Sequence, residues 1–150
     1  MRECSNIVVR ELSGLDEDEL CRTPGEGEWC LKEIAAHLRD AEQLALRQMN
    51  AIADGTSTSL PAWDIDLLPA ERDYRSADLS DLLSELRELR QETTYLLWGL
   101  DDAGWQAGVA HPYRGAVTIE TLARELAQHD LEHLAEVRRL KASIARDELP

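Results

Sequence analysis

His129 and His133 stand in the series Ile119, Leu122, Leu126, His129, His133, Val137, Leu140, Ile144, where every step is three or four residues. On a helix turning about 100° per residue these positions share one face. Both imidazoles therefore sit where a helical bundle expects leucine. A neutral imidazole offers one lone pair, so two rings four residues apart make a ready two-point metal clamp. His37 supplies a third ring, beside Ala41 and close to Leu44 on the inward-leaning side of an earlier helical stretch. If the two helices are neighbours, three rings converge and leave coordination positions open, as a catalytic metal site requires. The competing reading is hydrogen-bonded core filler, the usual fate of a lone buried histidine. Two such rings without partners would each cost about 1–3 kcal/mol. His111, in a loop before Pro112, reads as a surface or packing residue.

Ligating histidines normally give their second nitrogen to a carboxylate or a carbonyl. Asp130 lies at the edge of the same stripe, and Glu33 and Asp40 flank His37 at i−4 and i+3. These three are the local candidates for orienting the rings or for acting as a base. Glu132 and Glu136 point further from the seam. A two-metal carboxylate bundle needs Glu-x-x-His on two helices, and Glu125 to His129 and Glu33 to His37 have the wrong spacing.

The elements that must position these residues read as helices. The chain has no Phe, only 5% aromatic residues, and a Leu- and Ala-rich apolar set, which favours helix over sheet. A short helix is expected within residues 2–13, and Asp16 with Glu19 forms a capping-box pattern stapled by Leu15 and Leu20. The second long helix should run from Leu31 to Ala53, with Ile34, Leu38, Ala41, Ala45, Met49 and Ile52 at helical spacing. Residues 54–75 form a connection with Gly55, Pro61 and Pro69, long for a simple spacer and more in keeping with a functional loop. A third helix starts after Ser76 and Asp78, its seam marked by Leu82, Leu86, Leu89, Thr93, Leu96 and Leu100. A loop with Gly104, Gly108, Pro112 and Gly115 follows, and Thr118 caps a fourth helix reaching about Ala145. The expected fold is one all-α domain over residues 1–150, a four-helix bundle with a long crossover connection.

With 150 residues the chain is one ordinary domain. Its 30 acidic against 16 basic residues leave a net charge of −14, which argues against nucleic acid and anionic membrane surfaces as partners. No apolar run approaches the roughly 20 residues of a spanning helix, and the first residues lack a signal-peptide core. The expectation is a cytoplasmic protein acting on a small molecule. Cys4, Cys21 and Cys30 are odd in number and form no CxxC pair, so reduced thiols are expected.

Two blocks carry a family resemblance. Pro24-x-x-x-Glu28-Trp29-Cys30-Leu31-Lys32-Glu33, followed by Ala36-His37-Leu38-x-Asp40-x-Glu42, resembles the opening of DinB/YfiT-like proteins. Gly115-x-Val117-Thr118-Ile119 and His129-Asp130-Leu131-Glu132-His133-Leu134 resemble their closing segment, and Trp63, Asp64 and the stretch Asp102 to Trp105 are similar as well. The resemblance implies a four-helix bundle holding a divalent metal on His37, His129 and His133, and a homodimer. It also implies chemistry of the kind found in thiol-dependent S-transferases and a mycothiol-dependent isomerase. Cys30 replaces the family's frequent Ser as helix N-cap; sulfur is the weaker acceptor, and although a thiol at a helix N-terminus can become reactive, the favoured reading of Cys30 is a small semi-buried residue.

The resulting expectation is a metal-dependent transferase or isomerase using a low-molecular-weight thiol. Zn or Ni is the favoured ion and Fe or Mn a further option. Trp63 and Trp105 are candidates for lining the substrate pocket. The alternatives are a metal-dependent hydrolase with Asp130, Glu33 or Asp40 as base, and a non-enzymatic metal-binding or stress-response module.

Overall fold

The computed structural model describes residues 2–25, 27–55, 60, 72–111 and 114–147. Helix α1 spans Arg2–Leu12, the one-turn α2 Glu17–Cys21 and α3 Leu31–Ala53. After a 3-10 turn at Tyr74–Ser76 come α4 at Leu79–Trp98 and the short α5 at Asp102–Gln106, then strands β1 at Gly108–His111 and β2 at Gly115–Thr118. The chain closes on α6, Ile119–Asp147.

Local chemistry explains these boundaries. The Asp16 carboxylate accepts from Glu19 N–H at 2.9 Å while Glu19 accepts from Asp16 N–H at 2.7 Å, closing the box that starts α2. Asp78 accepts from the N–H groups of Ser80 and Asp81 at the head of α4. Thr118 Oγ1 accepts from Thr121 N–H at the head of α6. Val8 and Val9 belong to α1 and are buried.

The four long helices form a ring in which α1 touches α4 and α6, and α3 touches the same two. Ala36 meets Leu82, Arg39 pairs with Glu85 and Thr93 donates to Glu42, so α3 and α4 run parallel. Parallel neighbours cannot be joined by a tight turn, hence the long crossover between them. The α6 helix runs against α3: Met49 and Ile52 pack with Ile119 and Leu122, while Leu31 and Ile34 pack with Leu134 and Val137.

Two features depart from the expected loop after α4, the short helix α5 and a hairpin. A two-stranded antiparallel hairpin pairs Val109 with Val117 and His111 with Gly115. Its register needs glycine at 108, where a Cβ would lie 2.4 Å from Val117 O. Val117 is buried and ties the hairpin to the second apolar cluster.

The apolar core falls into two large clusters and a small one of Ala36, Tyr74 and Leu82. One large cluster takes α3 up to Leu38, α4 up to Leu86 and α6 from Leu134 onward; the other takes α3 from Ala45 and α6 up to Leu126. Between them lies a polar layer holding His37, Glu42, Arg90, Thr93 and Asp130, all buried. The candidate site belongs to this layer.

Candidate metal centre

Three imidazoles meet in the layer. His37, 1% exposed, is carried by the buried face of α3, while His129 and His133 are half-buried on α6. The Nε2 atoms of His37 and His129 are 2.9 Å apart, and one nitrogen from each of the three rings lies within 4.8 Å of the other two. Ring centroids are 4.9 Å apart for His37 and His129, 4.8 Å for His37 and His133, and 4.5 Å for His129 and His133. Two nitrogens each about 2.0–2.1 Å from a common ion are at most about 4.2 Å apart, and about 2.9 Å apart when they meet at a right angle. The donor set and the Nε2 separation of His37 and His129 therefore fit a shared divalent cation.

Two further residues complete the site. His133 Nδ1 donates to the Glu136 carboxylate at 2.9 Å, which leaves His133 Nε2 as the lone-pair nitrogen. Trp29, at the entry to α3, lies with its ring centroid 4.6 Å from that of His37 and 6.0 Å from that of His133, stacked on the latter. It walls one side of the group with an apolar face. Sequence spacing placed Glu136 away from the seam. Its position three residues after His133 was the available signal, since i, i+3 neighbours touch on a helix.

The three carboxylates considered as bases are engaged with cations. Asp130 accepts two hydrogen bonds from Arg90, at 2.6 and 3.1 Å. Arg90 also pairs with Glu42 at 2.6 Å, so the ion cluster joins α3, α4 and α6 across the interior. Burial opposes the charge on Arg90, but the hydrogen bond from Asp130 and the charges of Glu42 and Asp130 hold its pKa above the ordinary value. Burial lifts the Glu42 carboxyl above its usual range against the pull of Arg90 and Thr93. Asp40 accepts from the Tyr74 hydroxyl and pairs with Arg39 at 2.8 Å and Arg72 at 3.2 Å. Glu33 accepts from Cys30 N–H at 2.8 Å and pairs with Arg75 at 3.2 Å.

Cys30 is fully buried, and desolvation pushes its thiol up to about 11. Burial outweighs the helix N-terminus, so Cys30 stands as a buried packing residue rather than a reactive thiol. Trp105 packs with the second apolar cluster around Ile119 and Leu122. Trp63 and Asp64 lie outside the described residues. His111 sits on β1, outside the three-imidazole group.

A family model described as the DinB superfamily matches residues 2–137. The chain belongs to the DinB superfamily. Among DinB-like relatives, a protein of Oceanobacillus iheyensis named as a candidate metal-dependent hydrolase is 19% identical over 134 residues, covering 89% of this chain and 77% of the relative. The similarly named YfiT of Bacillus subtilis is 24% identical over 116 residues, covering 77% of this chain and 65% of YfiT. The solved structure of YfiT, described as a four-helix bundle of unusual topology, superposes with a TM-score of 0.85 at 21% identity, over 96% of this chain and 83% of that one. A mycothiol-dependent maleylpyruvate isomerase superposes with a TM-score of 0.68 at 15% identity, over 93% of this chain and 57% of that one. At these identities the structural likenesses establish the DinB bundle fold.

Proposed function

We propose that the protein is a divalent-metal-dependent enzyme, with His37, His129 and His133 as ligands, that uses a low-molecular-weight thiol to transfer to or isomerise a small electrophile. The observation that carries this reading is the convergence of three imidazoles from two helices in the polar layer. Three neutral imidazoles suit Zn or Ni, with Fe and Mn as further options, and leave positions open as catalytic sites do. A bound divalent ion favours the thiolate form of a coordinating thiol at neutral pH.

The protein's own residues supply orientation and shielding. Glu136 fixes the tautomer of His133, and Trp29 keeps water from one face of the ring group. Asp130, Asp40 and Glu33 are each paired with an arginine, which ties them into ion pairs. A thiol held by a bound metal would release its proton to solvent, so this reading asks no carboxylate of the protein to act as base. The isomerase description of one structural neighbour supports the same reading.

The hydrolase names of the sequence relatives support a second reading, with an activated water in place of the thiol. One experiment separates the two. Zn- and Ni-loaded protein is offered a bimane or chloro-arene electrophile with mycothiol, bacillithiol or glutathione, and in parallel a chromogenic ester without thiol. Metal-dependent transfer with at least one thiol is the expected result. Ester hydrolysis alone would move the assignment to the hydrolase. Neither activity in a metal-loaded protein would leave a binding module and overturn both.

A further inference from the structure

A cavity lies on the α1–α4 side of the bundle. It is a cleft of about 290 Å³ built entirely by α1 and α4, whereas the imidazoles come from α3 and α6. Among the described residues its walls hold two arginines and no carboxylate, in a chain where acidic residues outnumber basic ones by 30 to 16. The net charge of −14 repels anions at long range, and with Arg90 already matched by Asp130 and Glu42, Arg87 is the guanidinium of this wall left to meet an anion.

The lining side chains differ in what they have left to offer. Arg90 forms the inner wall; its terminal nitrogens are taken by Asp130 and Glu42, while its buried Nε has no hydrogen-bond partner among the described residues. Arg87 is exposed, and no described carboxylate pairs with it. Tyr95 and Trp98 are 60% and 69% exposed, with ring centroids 6.2 Å apart and planes inclined at 62°. Gln91 donates to the Tyr95 hydroxyl at 2.9 Å and steadies that ring. Exposed aromatic rings beside a cleft offer flat apolar faces to a ligand.

We propose that this cleft binds a small aromatic carboxylate, its carboxylate on Arg87 and its ring against Tyr95 and Trp98. The guanidinium fork matches a carboxylate in two-point geometry, and offset or edge-to-face contacts suit a flat ring. The volume falls just below the roughly 300–1,000 Å³ usual for ligand pockets, which limits the ligand to about one ring with its substituents. The proposal does not depend on a metal at the imidazoles.

The test titrates benzoate, with benzamide as its neutral analogue, into the native protein and follows calorimetry and tryptophan fluorescence. Benzoate is expected to bind about tenfold or more tightly than benzamide. Arg87→Gln should erase that preference, and Trp98→Ala should weaken both ligands. Both side chains are exposed, and thermal unfolding followed by circular dichroism verifies that each variant is folded. Chelator treatment and His133→Ala should leave benzoate binding unchanged. Equal affinity for the two ligands, or no saturation up to about 10 mM, would overturn the proposal. So would a benzoate signal that disappears with chelator or with His133→Ala, which would place the carboxylate at the three-imidazole site instead.

Discussion

The hydrogen bond from His133 Nδ1 to Glu136 decides which nitrogen His133 turns toward its neighbours. If the group holds a metal, Glu136→Ala should weaken metal affinity about 10–100-fold, measured by competition against a chromogenic chelator. Glu136→Gln, which keeps an acceptor oxygen, should lose less; equal affinity in all three proteins would exclude a positioning role for Glu136. The histidines were legible in the sequence because they interrupt a leucine seam at helical steps. Their carboxylate was not: a helical wheel turns Glu136 outward, while the length of its side chain brings it back. The nearer candidates Asp130, Asp40 and Glu33 are drawn off by Arg90, Arg72 and Arg75, partners some 30 to 40 positions distant that local spacing cannot reveal. Cys30 illustrates the same limit, since its burial depends on tertiary packing. With its thiol pushed up to about 11, Cys30 should resist an aromatic disulfide reagent at neutral pH while the partly exposed Cys4 and Cys21 react. Three equally fast thiols in the native protein would contradict this.

At the level of elements, the head of α3 matters most because it carries both Trp29 and His37. Burial pushes the Glu33 carboxyl up, but the hydrogen bonds from Arg75 and Cys30 N–H outweigh it and leave the pKa below the ordinary value. A carboxylate with a depressed folded pKa contributes stability above its unfolded value of 4.5, and that contribution is lost as pH falls through the folded value. Glu33→Ala should therefore cost about 1 kcal/mol near pH 7, with the difference from wild type shrinking below about pH 4.5. Urea unfolding at several pH values checks it; a pH-independent difference would point to lost packing rather than lost charge. Helix limits were largely readable here, since Asp16, Asp78 and Thr118 are N-caps with local partners. The hairpin was not, because its strands are only four residues each and the close fit at Gly108 is a cross-strand property.

For the whole molecule, the main feature is a polar layer set between two large apolar clusters. Arg90 is the hub of that layer, joined to Glu42 and Asp130 from two other helices. Replacing it strands two buried carboxylates, so Arg90→Met should destabilise the fold by about 3–5 kcal/mol in urea or thermal unfolding. A loss below about 1 kcal/mol would mean that the cluster is solvated in solution. The seam on α4 hid this hub, since Arg90 follows Leu89 and reads as the solvent side of a leucine stripe. The bundle itself was legible from three amphipathic stretches and one long connection, and the parallel course of α3 and α4 explains why that connection is long.

The central claim, one cation shared by three imidazoles, is tested most directly by elemental analysis of the native protein and of His37→Ala, paired with thermal unfolding before and after chelation. The account predicts a divalent ion near one per chain in the native protein and its loss in the variant. Chelation should then lower Tm by about 5–11 °C in the native protein alone. A hundredfold excess over Kd adds about 2.7 kcal/mol, and each kcal/mol is worth about 2–4 °C in a domain of this size. A native protein without metal, melting at the same temperature with or without chelator, would contradict it.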